Sequence, residues 1–341
     1  MAKFSFLVSM LAALLALPLV AAVPVSDDHL GSRAEELRPQ AREVLRNPRA
    51  MDVSTAAPQF VAYFDKYFSY DSLPDPSLLT ASCSPYPSSH LFTITVDNAY
   101  VWQTMTAAQR ATTKAAYNAA GIRLIVSAFG SASFPTNEDP TTVANFIANY
   151  VLTYNLDGVD IDYEDSPALE SAGTAVAWLS TLTKVLRQHL PQGQYIITHA
   201  PVAPWFSSGL WPGNGYVGVH VAVGDLIDWY NVQIRHFSFY NQGDSEYVTC
   251  PGLLTASSST WPQSSLFQTA ANGVPLNKIV IGKGATGGDA TTGYMDPGTL
   301  AGCVAQAKNQ GWSAGVMEWQ YPNGATAWIE QVRAGSWRVT H

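Results

Sequence analysis

Beyond residue 58 the chain alternates short apolar runs with longer stretches of helical periodicity. Runs at 60–64, 90–96, 123–129, 158–164, 195–200, 229–233, 278–283 and 315–319 are rich in β-branched and aromatic residues and read as strands. Between them, 107–120, 141–154, 174–189, 264–272 and 300–310 space their apolar residues three and four apart, as amphipathic helices do. Strands and helices that alternate in this way predict βα units around a parallel sheet. Eight units over about 280 residues predict an α/β fold, a single (β/α)8 TIM barrel. Roughly 30 residues separate the seventh and eighth strands, so no large domain is expected there.

The first 58 residues follow a different pattern. One early positive charge at Lys3, an apolar run over 4–22 and the small residues Ala21 and Ala22 predict a signal peptide over 1–22 and a secreted, extracellular protein. Residues 23–58 mix arginines with acids and hold no aromatic residue, which reads as a flexible leader or pro-segment. The barrel then occupies 59–341.

Composition narrows the partners. The net charge is −8, and no Lys/Arg cluster occurs in the barrel region, which argues against nucleic acid and anionic membranes. Aromatic residues make up 11% of the chain; they stack on sugar rings and equally well fill cores. No cofactor or metal is expected, since the seven histidines are scattered and none forms a His-Glu-x-x-His pattern. A monomer is expected. Of the three cysteines, Cys250 and Cys303 should lie near the same end of neighbouring barrel units and form a disulfide, leaving Cys83 free and buried.

The candidate chemistry sits in the fourth strand, Asp157-Gly158-Val159-Asp160-Ile161-Asp162-Tyr163-Glu164-Asp165. Alternate side chains of a strand share a face, so Asp160, Asp162 and Glu164 point one way while Val159 and Ile161 point the other. Like charges so close cannot all ionise freely, and their proton affinities must separate. A solvated acidic face does not fit the interleaved apolar residues. A calcium loop counted from Asp160 would need Gly and Glu where Asp165 and Ser171 stand. Barrel enzymes carry their chemistry at the carboxyl ends of the strands, where Glu164 falls.

The spacing Asp157-x-x-Asp160-x-Asp162-x-Glu164 resembles the signature of the family 18 glycoside hydrolases, the chitinases and endo-β-N-acetylglucosaminidases. Further along, Ser127-Ala128-Phe129-Gly130 resembles the family's Ser-x-Gly-Gly, with Phe129 a departure, and Trp319 looks like the tryptophan beneath the reacting sugar. In the sixth strand, residues 234–238 look like an insertion between Gln233 and the Phe239-Tyr240 pair. The resemblance implies hydrolysis of β-1,4 linkages between N-acetylglucosamine units with the substrate's own acetamido group assisting and configuration retained. Glu164 is then the general acid, Asp162 orients the acetamido group, Asp160 shares a proton with Asp162, and Tyr240 donates to the acetamido oxygen. Trp319, Gln233 and Tyr63 line the substrate site, while Asp157 serves structure. The implied partner is chitin or another N-acetylglucosamine-containing glycan. An endo-acting chitinase is the leading reading; an endo-β-N-acetylglucosaminidase and an inactive chitin-binding barrel are the alternatives. His199 reads as a satisfied core histidine or, alternatively, as a cleft residue; Trp205 and Trp211 either stack on outer sugars or pack.

Overall fold

The computed structural model describes residues 58–64, 73, 89–94, 96–131, 133–233, 246–290 and 293–337. The expected signal peptide and leader, Cys83, the 234–238 segment and Tyr240 lie outside the described residues. Eight parallel strands close into a barrel in sequence order: β1 (Gln59–Phe64), β2 (Ser89–Ile94), β3 (Ile122–Phe129), β4 (Gly158–Asp162), β5 (Ile196–His199), β6 (Trp229–Gln233), β7 (Ile279–Gly284) and β8 (Gly315–Trp319). The described helices between them are α1 (Val96–Thr104), α2 (Ala107–Ala119), α3 (Pro140–Thr153), α4 (Ala175–His189), α5 (Gly215–Val223), α6 (Cys250–Leu254), α7 (Leu266–Ala271) and α8 (Pro297–Asn309), with α9 (Ala325–Arg333) after β8. The β7–β8 connection holds α8 and its loops and no added domain, as the spacing predicts.

Local chemistry sets the element boundaries. Thr106 and Gln109 form a reciprocal capping box that starts α2. Asp139 accepts from the Thr142 amide ahead of Pro140, which starts α3. The helix α5 was not singled out by periodicity, because its run of valines and glycines has poor helix propensity. It persists because Tyr216, Val217, Val219 and Val223 are buried.

The amino end of the barrel is locked by two buried ion pairs built alike. Asp157, just before β4, bonds Lys114 Nζ at 2.7 Å and accepts from the Leu124 amide of β3 at 2.9 Å. Asp228, just before β6, bonds Arg187 Nη2 at 2.6 Å and accepts from the Ile197 amide of β5 at 2.7 Å. Each acid thus satisfies a strand-end amide and a buried cation together, which is what makes the burial tolerable. This gives Asp157 the structural role read from its position. The expected disulfide between Cys250 and Cys303 is present and ties α6 to α8.

The fourth strand is narrow for a reason. A Cβ on Gly158 would stand 2.0 Å from the Ile196 carbonyl oxygen, so β4 and β5 approach too closely there for any side chain. Val159 and Ile161 are fully buried against the helices, and Asp160 and Asp162 turn into the barrel. The strand ends at Asp162 rather than at Glu164. There the Gly130 amide takes the Asp162 carbonyl, and the Ser166 amide bonds back to Glu164, turning the chain off the sheet.

Candidate active site

Asp160 lies at the centre of the barrel with no exposed surface. Ser127 on β3 and Thr198 on β5 are its register neighbours, so all three point inward at one level. Its Oδ2 accepts from Tyr63 Oη at 2.7 Å and Ser127 Oγ at 3.0 Å. Its Oδ1 accepts from Thr198 Oγ1 at 2.5 Å and Asn231 Nδ2 at 3.1 Å. Burial raises the pKa of Asp160 above the ordinary carboxylate value, and the four donors oppose the rise. Donors from four other strands fill both of its oxygens.

Those four donors explain why otherwise apolar strands carry isolated polar residues. Tyr63 came from the sequence only as a lining residue, and its hydroxyl proves to be a direct partner of Asp160. Ser127 enters only through a partial motif, and the sequence assigns no role to Thr198 or Asn231. Their signal was there: one small polar residue at mid-strand in Ile196–His199 and one in Trp229–Gln233. Burial, with Asp160 and Asp162 adding their charge, holds the Tyr63 phenol well above its ordinary pKa. Tyr63 is thus a permanent donor.

Above Asp160, nearer the carboxyl end, Gln233 joins the next two acids. Its Nε2 donates to Asp162 Oδ1 at 2.6 Å and to the Ala200 carbonyl at 2.8 Å, and stands 3.4 Å from Glu164 Oε1. Asp162 is buried and Glu164 half-buried, so the acids run from the closed interior toward solvent along one line. Trp319 ends β8 half-exposed, its ring centroid 5.6 Å from that of Tyr63. Tyr63, Asp162, Gln233, Lys283, Met317 and Trp319 line one cavity at this end of the barrel. The structure thus gathers six of the seven sequence-predicted site residues, and the seventh, Tyr240, lies outside the described residues.

Other candidates fall away from the site. His199 is fully buried on the outer face of β5, between Thr183 Oγ1 at 3.2 Å and the Tyr216 hydroxyl at 3.4 Å. Burial, reinforced by Arg187, pulls its pKa down to about 3, so it is a neutral core group. Trp205 is buried, stacks on Tyr216 and donates to Glu170 Oε1 at 2.8 Å. Trp211 packs on Trp261 with centroids 5.6 Å apart and donates to the Pro204 carbonyl. Phe129, where the resemblance expects glycine, has φ of 84° and keeps that left-handed backbone with its ring set edge-on against Trp178. Lys283 was not foreseen at all: it is buried at the end of β7, and burial brings its ammonium pKa down to about 7.

The closed barrel turns Asp160 and Asp162 inward and sets Glu164 just beyond the carboxyl end of β4. No family model matches the chain. No curated protein matches it either. Solved structures do. A family 18 chitinase from Pseudoalteromonas aurantia matches with a TM-score of 0.58 at 25% identity, covering 81% of this chain and 99% of that one. A fungal endo-β-N-acetylglucosaminidase of glycosyl hydrolase family 18 gives 0.57 at 20% identity, over 81% and 97% of the two chains. The chitinase ChiC from Aspergillus fumigatus gives 0.54 at 19% identity, over 78% and 92%. The resemblance to the family 18 glycoside hydrolases carried by the fourth strand thus extends to the fold of most of the chain.

Proposed function

We propose that the protein is a secreted glycosidase that cleaves β-1,4 linkages between N-acetylglucosamine units, with chitin as its substrate. The observation that carries this reading is the line of three acids in which Gln233 bonds Asp162 at 2.6 Å and reaches Glu164 at 3.4 Å, over an Asp160 held by four donors. Similarity at 25% identity to a family 18 chitinase supports it.

Hydrolysis of a glycoside needs a proton for the leaving oxygen and a partner for the positive anomeric carbon. Glu164, the acid nearest solvent, protonates the leaving oxygen and later takes a proton from water. The substrate's acetamido oxygen attacks the anomeric carbon from the face opposite the leaving group and forms an oxazolinium ion; water then enters from the face the leaving group left and breaks the oxazolinium C–O bond, so configuration is retained. Asp162 accepts from the acetamido N–H and stabilises the charge that develops. Gln233 fixes the Asp162 carboxylate, and Asp160 supplies negative charge beneath it. Tyr240 donates to the acetamido oxygen, and Trp319 forms the floor under the sugar. The absence of an inserted domain between β7 and β8 supports an open cleft and endo-acting cleavage.

The similarity to a fungal endo-β-N-acetylglucosaminidase favours a second reading, cleavage of the chitobiose core of N-glycans, which uses the same acids. Two substrates separate the readings: tetra-N-acetylchitotetraose and a high-mannose glycoprotein. The chitinase reading predicts cleavage of the first and no glycan release from the second. Glu164→Gln lowers kcat by at least about 100-fold while the oligomer still binds. Hydrolysis of neither substrate, with binding retained, overturns the enzymatic reading in favour of a binding protein.

A further inference from the structure

We infer that Thr136, in the loop between β3 and α3, is a positioning residue that fixes the backbone from which Glu164 projects. This role deepens the glycosidase reading and rests on it. The pairing of β4 with its neighbours stops at Asp162, so Glu164 stands beyond the last strand contact. The residues on either side of it are held instead from the β3 loop. Thr136 Oγ1 meets the Tyr163 hydroxyl at 2.6 Å, and the Thr136 amide donates to Asp165 Oδ2 at 3.3 Å. One residue thus grips the side chains immediately before and after Glu164. Tyr163 and Asp165 are buried, while Glu164 between them is half-buried. The four-acid spacing of the fourth strand makes no use of Thr136, Tyr163 or Asp165.

The loop that carries Thr136 is itself fixed. Pro135–Asn137 forms a short helical turn, closed by the Glu138 amide on the Pro135 carbonyl at 3.0 Å. Trp178 of α4 donates its indole N–H to the Glu138 carbonyl at 2.8 Å and packs its ring on Tyr163, with centroids 5.9 Å apart. Asp139 then caps α3. On the other side of the bracket, Asp165 Oδ1 accepts from the Ala168 amide at 3.3 Å, and the Ser166 amide donates to the Glu164 carbonyl at 2.8 Å. The carboxylate that Thr136 grips therefore also closes the turn by which the chain leaves β4. The Glu164 carboxylate has contacts of its own, Gln233 among them at 3.4 Å. The bracket acts beneath those contacts, on the main chain. A general acid is sensitive to such support, because a misplacement of about 1 Å costs about 100-fold in rate.

Thr136→Val keeps the shape of the side chain and removes its hydroxyl, Thr136→Ser keeps the hydroxyl, and Tyr163→Phe removes the partner. Thr136→Val should lower kcat on tetra-N-acetylchitotetraose about tenfold, with KM within about threefold of the parent. A dinitrophenyl chitobioside, whose leaving group departs with little help from an acid, should lose less than about threefold. That split marks a misaimed acid, whereas general destabilisation lowers both rates alike. Thr136→Ser should match the parent. Tyr163→Phe should reproduce Thr136→Val, and combining the two should cost little more than either. Tyr163→Phe carries the test alone if Thr136→Val does not fold. Unchanged kcat, a raised KM alone, or equal losses on the two substrates overturns the inference. If the parent protein cleaves neither substrate, the glycosidase reading fails, and amide exchange at Ser166, measured without substrate, decides the bracket. Exchange accelerates in Thr136→Val if Thr136 holds the turn, and stays unchanged if it does not.

Discussion

Replacing Asp160 separates the charge of the buried acid from its packing. In Asp160→Asn the side chain keeps its shape and one oxygen. That oxygen still accepts from Asn231 Nδ2 and Thr198 Oγ1, now 3.1 Å and 2.5 Å from Oδ1. The new amide faces Tyr63 and Ser127, whose hydroxyls can rotate and accept. The Tyr63 and Ser127 O–H groups lose their acceptor, while the burial that raises the Asp160 pKa no longer opposes a charge. The two effects oppose each other, and the variant should lose about 1–3 kcal/mol, less than Asp160→Ala. Asp160→Ala is different. It strips four donors of their acceptor, and only the contacts of Asn231 Nδ2 to Tyr63 Oη at 3.3 Å and Thr198 Oγ1 at 3.5 Å remain. The three hydroxyl donors of Tyr63, Ser127 and Thr198 lose their acceptor at about 1–3 kcal/mol each, which predicts a loss of about 3–9 kcal/mol, a large share of a typical folding free energy. Activity should fall in both, by about 10–100-fold in kcat for Asp160→Asn, because the charge beneath Asp162 is gone. Urea unfolding followed by tryptophan fluorescence and steady-state kinetics on chitotetraose give both numbers. Equal destabilisation by Asn and Ala, or an Asp160→Asn variant with full kcat, would refute the reasoning.

Reduction of the Cys250–Cys303 bond, which closes a loop of 53 residues, should cost about 4 kcal/mol, read as a lower urea midpoint in dithiothreitol. His199 has a folded pKa of about 3 against an ordinary 6.5, so the unfolded chain binds a proton between those values that the folded chain does not. Stability from this group is complete above pH 6.5 and lost as pH falls toward 3, by up to about 5 kcal/mol. His199→Gln should remove this part of the pH dependence of urea unfolding; an unchanged slope contradicts a neutral core imidazole.

The fold was legible because each βα unit repeats the same alternation of periods, and because Val159 and Ile161 mark one face of β4 as plainly as Asp160 and Asp162 mark the other. The disulfide was legible for the same reason, since barrel order brings consecutive units side by side. The donors around Asp160 were harder to see. Thr198 and Asn231 become its neighbours through the stagger of adjacent strands, and that stagger is a property of the closed barrel rather than of any one strand. Helix α5 was obscured because tertiary burial outweighs the weak propensity of its valines and glycines. Lys283 is an ordinary strand-end residue in the sequence, and its burial and its bonds to the carbonyls of Tyr247 and Gly293 emerge only in the closed barrel.

The central claim is that Glu164 protonates the leaving oxygen while the substrate's own acetamido group traps the anomeric carbon. The most direct measurement is the anomeric configuration of the first product formed from tetra-N-acetylchitotetraose, followed by proton NMR before mutarotation. The account predicts the β anomer, in the parent protein and not in Glu164→Gln. An α anomer, or product formation undiminished in Glu164→Gln, would contradict it.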